Sequence, residues 1–141
     1  MLWKIRQADS DDLPFIFSSW LKSFRNYSSV AGVPNTVYYD KQHKLISRLL
    51  SKPTTIAIIA CDPEDAKTIY GYAVAEVDAS NMVLHYFYVK HPLRGFGIAK
   101  ALEAELNTVN VTQTVYSSKT RHVAKRNYIY DPYTLWRHLN E

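Results

Sequence analysis

Between Tyr88 and Lys100 the chain reads YVKHPLRGFGIAK, and these residue types in this order assemble an anion site. Gly95 and Gly97 carry no Cβ, so backbone N–H groups beside them can approach a ligand closely. Apolar residues at Ile98, Ala101, Leu102 and Leu106 have helical spacing, and the first N–H groups of a helix find no partner within it. A helix start built this way holds anions. The candidate contacts are Arg94, Gly95, Phe96, Gly97, Ile98, Ala99 and Lys100. Other phosphate-binding turns fail on spacing. A dinucleotide turn needs a third glycine where Lys100 stands and an acidic residue about 20 positions on, and a P-loop needs its glycines further apart than Gly95 and Gly97. The competing structural reading is a tight turn whose glycines serve shape alone.

Strand, proline, arginine, glycines and amphipathic helix follow the R/Q-x-x-G-x-G/A motif, with Arg94, Gly97 and Ala99 at its fixed positions. The chain thereby resembles the GCN5-related N-acetyltransferase (GNAT) superfamily. The resemblance implies acetyl-coenzyme A as cofactor, its pyrophosphate gripped by the amides of the loop. It also implies that the preceding strand, ending at Tyr88 and Val89, parts from its neighbour and hydrogen-bonds the pantetheine arm and the acetyl carbonyl. Ile69-Tyr70-Gly71-Tyr72-Ala73-Val74 is similar to the strand that precedes the cofactor strand in that superfamily. Ala124-Lys125-Arg126-Asn127-Tyr128 fits its A-x-x-x-Y, which implies Tyr128 beside the coenzyme A sulfur as general acid. Arg121 stands where an asparagine is expected, and the glycine-phenylalanine after the tyrosine is absent. The resemblance covers Leu2 to Tyr128.

Acetyl transfer to an amine needs a neutral amine, a polarised thioester carbonyl and a proton for the departing thiolate. The N–H groups of Tyr88 and Val89 are the expected polarising donors. His85 and Glu76 are the candidate bases. An ordinary imidazole pKa of about 6.5 suits His85 to proton removal near neutrality, and strict strand alternation puts it on the face of Phe87. A hydrogen-bonded structural histidine is the competing reading. The five histidines, 43, 85, 91, 122 and 138, show no H-x₃-H spacing or cysteine partner, so no metal is expected. A G-x-S-x-G elbow is also absent.

The elements that must position these groups are legible in the periodicity. Leu2–Ala8 suits a first strand, and Asp9-Ser10-Asp11-Asp12 supplies cap chemistry for a helix with Leu13, Ile16, Phe17, Trp20, Leu21 and Phe24 on one face. The segment Asn26–Asn35 reads as a loop, whose Tyr27, with Tyr38 beyond it, the resemblance places at the border of an acceptor site. A second helix is expected over Thr36–Lys52, then strands at Thr54–Ala60, Thr68–Val77 and Val83–Val89, with Gly71 marking a close backbone approach or bulge. Beyond the glycine helix, Val109–Ser117 predicts a fifth strand, Ser118 or Thr120 a helix cap, and Asp131-Pro132 a short final helix. The expected fold is one α/β (α+β) domain over residues 1–141, a GNAT-like mixed, largely antiparallel sheet with helices on both faces and reduced or remodelled C-terminal strands.

At 141 residues and 47% hydrophobic, the chain is long enough to bury a core of its own. Its one cysteine, Cys61, excludes an intrachain disulfide and points to a cytoplasmic setting. No apolar run is long enough for a membrane span. The net charge of +4 is unevenly placed: acids gather at Asp62, Glu64, Asp65, Glu76 and Asp78, bases at Lys119, Arg121, Lys125, Arg126 and Arg137. Such a basic end suits coenzyme A phosphates, a nucleic acid or an acidic protein. The expected function is acetyl-coenzyme A-dependent N-acetyl transfer to a primary amine of a protein, a small amine or an aminoacyl-tRNA, in a small domain of bacterial or phage type. The rival is a non-catalytic module of the same fold, docking a protein or nucleic acid through its basic, aromatic C-terminus; a homodimer completing the sheet is a further expectation.

Overall fold

A computed structural model describes residues 1–27 and 29–141, so Ser28, within the loop expected over Asn26–Asn35, lies outside the described residues. Among the described residues, six strands lie in chain order in one sheet: β1 (Lys4–Gln7), β2 (Thr55–Cys61), β3 (Ile69–Asp78), β4 (Asn81–Val89), β5 (Gln113–Tyr116) and β6 (Ile129–Tyr130). The first four pair antiparallel, while β5 runs parallel to β4 and β6 parallel to β5. Helices α1 (Leu13–Phe24), α2 (Asn35–Leu50) and α4 (Tyr133–Trp136) pack on one face, and α3 (Ile98–Leu106) on the other. This is the mixed, largely antiparallel sheet with helices on both faces that the pattern predicts.

Local chemistry explains the start of the chain. The Asp9 side chain accepts from the Asp11 N–H, and Asp12 accepts from the Asp9 N–H, closing a reciprocal cap before α1. Asp12 also takes two hydrogen bonds from Arg6 at 2.7 and 2.9 Å, so the same carboxylate ties β1 to the helix start. From there Ile16, Trp20 and Phe24 recur every four residues and are buried against the sheet. The helix delivers its last turn to the middle of β4.

One irregularity in β4 governs the rest. Tyr86 lies opposite Val74 and Leu84 opposite Ala75, so His85 is an extra residue in the ladder. The bulge breaks the alternation. Leu84 and Phe87 both enter the core beneath α3, whereas Tyr86 enters the core beneath α1 and α2. His85 therefore shares the face of Tyr86, not that of Phe87, which corrects the placement expected from strict alternation.

Gly71 is a close approach between strands. A Cβ there would stand 2.5 Å from the Tyr88 carbonyl oxygen and 3.1 Å from Val89 Cα, both backbone atoms that cannot swing aside. The C-terminal third departs further from expectation. The fifth strand keeps only Gln113–Tyr116, β6 has two residues, and the helix expected after Ser118 or Thr120 is a single tight turn at Val123–Lys125. Asp131 does accept the Tyr133 N–H at 3.0 Å, but α4 lasts one turn before a tighter turn at Arg137–Asn140. Replacing Gly71 with Ala is predicted to cost about 1–3 kcal/mol of stability, as overpacking does. Gly32→Ala, with nothing within 4 Å of the added Cβ, is the near-neutral control in the same urea denaturation experiment.

Candidate active site

The glycine turn has the conformation its sequence requires. Gly95 and Gly97 sit at φ 91° and 94°, in the left-handed region that residues with a Cβ avoid. Gly97 caps α3 with no side-chain hydrogen bond, and its carbonyl accepts the Ala101 N–H at 3.0 Å. The N–H groups of Ile98, Ala99 and Lys100 are thus left without intrahelical partners. They open on a cleft of about 760 Å³ lined by Tyr88, Val89, Arg94, Gly95, Gly97, Ile98, Ala99 and Lys100. Phe96, the remaining residue of the expected turn, does not line it. Its ring is exposed to solvent, because the turn directs residue 96 outward.

The second wall is the edge of β4. β5 pairs with β4 only from Asn81 to Leu84, and the Ser117 N–H reaches the Leu84 carbonyl at 3.0 Å before the strands part. Orientation past this point follows from Lys90, whose N–H donates to the Tyr70 carbonyl on β3 at 2.9 Å. With a period of two, the Tyr88 N–H faces β3 as well, and those of Phe87 and Val89 face the gap. This corrects the expected pair of donors, Tyr88 and Val89: Tyr88 contributes its ring to the cleft, and Phe87 takes its place on the open edge. On the same side, Arg94 Nε donates to the Val89 carbonyl at 2.9 Å, which ties the turn to the strand end.

Through the gap the cleft reaches Ser23, Tyr27 and Tyr86 on the opposite face of the sheet. The Tyr86 ring stacks on Trp20 with centroids 4.8 Å apart and the ring planes nearly parallel, and its hydroxyl shares a hydrogen bond with Ser23. The Tyr27 ring lies 6.3 Å from that of Tyr86. Burial pushes both phenols above their ordinary pKa, so both keep their protons at neutral pH.

The third wall is the segment after β5, contributing Thr120, Arg121, His122, Lys125 and Arg126. Glu103 of α3 holds it. Its carboxylate accepts from His122 Nε2 at 2.8 Å, from Arg126 at 2.8 to 3.1 Å and from the Tyr128 hydroxyl at 2.7 Å. Those three pulls on one carboxylate explain why the segment folds onto α3 rather than coiling into a helix of its own. Burial alone would raise the Glu103 carboxyl, but the hydrogen bonds from Arg126, Tyr128 and His122 outweigh it and hold it at about 2. Tyr128, expected beside the reacting sulfur, instead donates to Glu103 and does not line the cleft. Thr120, by contrast, lines the cleft, and its buried hydroxyl has no hydrogen-bond partner among the described residues.

Glu76 and His85, the expected bases, are also elsewhere. His85 is fully buried, with Nε2 2.9 Å from Glu76 Oε1 and Nδ1 2.7 Å from Ser117 Oγ, and neither residue lines the cleft. The bulge has turned them toward the C-terminal turn. A small second pocket of about 40 Å³, lined by Tyr27, Ser118, Tyr130 and Trp136 among others, shares Tyr27 with the cleft. Tyr27 lines both pockets, whereas Tyr38, which the resemblance named with it, is buried with its hydroxyl donating to the Leu21 carbonyl and lines neither. Ser23 and the wall from Thr120 to Arg126 were not legible in the sequence, because a gap in the sheet and a helix cut to one turn leave no periodic signal.

No family profile matches the chain, and no curated protein sequence does. Solved structures match it in shape. A candidate acetyl transferase from Pyrococcus furiosus superposes with a TM-score of 0.71 at 14% identity, over 90% of this chain and 93% of that one. A Corynebacterium glutamicum protein described as histone acetyltransferase HPA2 and related acetyltransferase gives 0.65 at 17%, over 89% and 81%. A GNAT-family acetyltransferase from Brucella melitensis, solved in complex with acetyl-CoA, gives 0.61 at 15%, over 89% and 82%. The chain therefore has the GNAT acetyltransferase fold. Among the described residues, no helix is long and apolar enough to cross a membrane.

Because the folded Glu103 carboxyl lies below its ordinary 4.5, its contribution to stability is fully present above about 4.5 and is lost as pH falls through about 2. Glu103→Gln is predicted to flatten stability against pH in that window and to weaken the third wall. Acid titration of the unfolding free energy checks the first effect.

Proposed function

We propose that the protein transfers the acetyl group of acetyl-coenzyme A to a primary amine. The observation that carries this reading is that unpartnered amides from two directions, the first turn of α3 and the β4 edge at Phe87 and Val89, face one cleft. A helix start suits a pyrophosphate, and an open strand edge suits an extended arm bearing amides. Lys100, Arg121 and Lys125 supply positive charge along the same cleft for a further phosphate. Acetyl-coenzyme A has this chemistry from end to end and supplies the activated acetyl group. The acetyl-CoA complex of the Brucella neighbour supports the assignment.

In this reading the phosphates lie at α3 and the reacting end reaches through the gap toward Tyr86, Ser23 and Tyr27. The Phe87 and Val89 N–H groups polarise the carbonyl in a site walled by aromatic rings. Tyr27 has a proton to give to the departing sulfur, in place of Tyr128, and Trp20 and Ser23 hold Tyr86 beside it. Glu76 and His85 take no proton from the amine, which arrives neutral or loses its proton to water. The pocket beyond Tyr27 admits little more than the end of an acceptor. An amine on a narrow, extended group fits this opening.

Calorimetry with acetyl-coenzyme A and a thiol-release assay over an amine panel test the reading. Saturable binding with transfer to at least one amine is expected; absence of binding overturns it, and binding without transfer favours a docking module. Tyr27→Phe is predicted to lower turnover about tenfold or more with cofactor affinity retained. Tyr128→Phe, which removes one donor from Glu103, is predicted to raise the KM for the cofactor more than it lowers turnover.

A further inference from the structure

Across the sheet from α3, the bulge turns His85 into a buried group that plays no part in the cleft. Glu76 of β3, His85 of β4 and His138 of the final turn each direct one ligand atom to a common point, all within 4.8 Å of one another. We propose that this group is a binding site for a divalent transition-metal ion of the zinc type, joining the C-terminal turn to the bulge.

The geometry is close to what an ion would impose. Glu76 Oε1 lies 2.9 Å from His85 Nε2 and 3.1 Å from His138 Nε2. A tetrahedral ion with bonds of about 2.0–2.2 Å holds its ligand atoms about 3.3 Å apart, so the two contacts to Glu76 open by a few tenths of an ångström while the two imidazole nitrogens, within 4.8 Å of each other, settle to the same spacing. Two imidazoles and a carboxylate are a donor set such ions favour over magnesium or calcium. The outward ring nitrogens are fixed too. His85 Nδ1 meets Ser117 Oγ at 2.7 Å and His138 Nδ1 meets Glu141 Oε1 at 3.0 Å, so both Nε2 atoms are held toward Glu76. Outer contacts of this kind set the tautomer and aim the ring of a metal ligand.

Arg137 is the group an ion must move. Its Nη2 donates to Glu76 Oε1 at 3.0 Å, while its Nη1 is anchored on Asp78 at 2.7 Å, so it can leave the first carboxylate and keep the second as partner. Access runs through the final turn. That turn is held to α2 by Arg48, which donates to the His138 and Leu139 carbonyls, and by the Lys52–Glu141 ion pair, partly exposed and so modest in strength. The ligands stand at positions 76, 85 and 138, and such separations carry no motif that a reading of the sequence would notice. The alternative occupant of the same geometry is a set of hydrogen bonds alone.

The test is cobalt titration of the chelator-treated full chain. Visible d–d absorption of a tetrahedral ion, saturating at one Co²⁺ per chain and abolished by Zn²⁺, is the expected result, with a higher Tm in Zn²⁺ than in Mg²⁺. His138→Ala and Glu76→Gln are each expected to weaken binding by about tenfold or more. No saturable absorption, or binding unchanged in His138→Ala, overturns the proposal and leaves a hydrogen-bonded clasp. Should either variant unfold, wild-type imidazole NMR decides: Co²⁺ must broaden the signals of His85 and His138 while sparing those of His43, His91 and His122, and the converse pattern overturns the site.

Discussion

Backbone N–H groups enclosed without a partner are costly, and this fold surrounds one cleft with two sets of them. One set opens α3, where Gly97 caps the helix without a side chain. The other lines β4 at Phe87 and Val89, where β5 has turned away. Neither set can be satisfied by rearranging its own element, because the helix has no residues before Gly97 to supply carbonyls and β5 ends at Tyr116. A ligand with anionic and amide groups pairs with both sets at once, and the proposed coenzyme A site rests on that backbone arrangement before any side chain is considered.

The β4–β5 pairing ends at Leu84, beside the bulge at His85. There the extra residue bends the strand and turns Tyr86 toward α1. Trp20 and Ser23 then fix Tyr86 from the helix side, and Gly71 lets β3 follow the bent strand closely. The same extra residue sends His85 to Glu76 and His138, away from the cleft. One irregularity thus sorts the titratable groups of β4 into those that meet the cleft and those that bind the C-terminal turn.

What the sequence disclosed follows from which interactions are local. Helical and strand periods, the Asp9–Asp12 cap and the two left-handed glycines are local, and the first four strands, the first three helices and the glycine turn were legible from them. The Gly71 contact was legible as a demand for space, though not its partner. Of the two strand amides expected at the gap, Val89 faces it and Tyr88 does not, because their direction depends on Lys90 pairing with Tyr70, which only the register reveals. Tyr128 was misplaced because a sequence pattern tacitly assumes a full helix, whereas Glu103, one turn into α3, draws His122, Arg126 and Tyr128 onto itself. Nothing within a few residues of Glu103 announces that pull. The same holds for Glu76, His85 and His138, which meet only after the sheet and the final turn are in place.

Amide-resolved NMR during titration with acetyl-coenzyme A examines the two sets of donors directly. Saturable shifts are predicted at Ile98, Ala99 and Lys100 and at Phe87 and Val89, with the Tyr88 amide, bonded to β3, moving far less. A saturable titration that leaves these amides unmoved, or a response confined to exposed lysines, contradicts the arrangement.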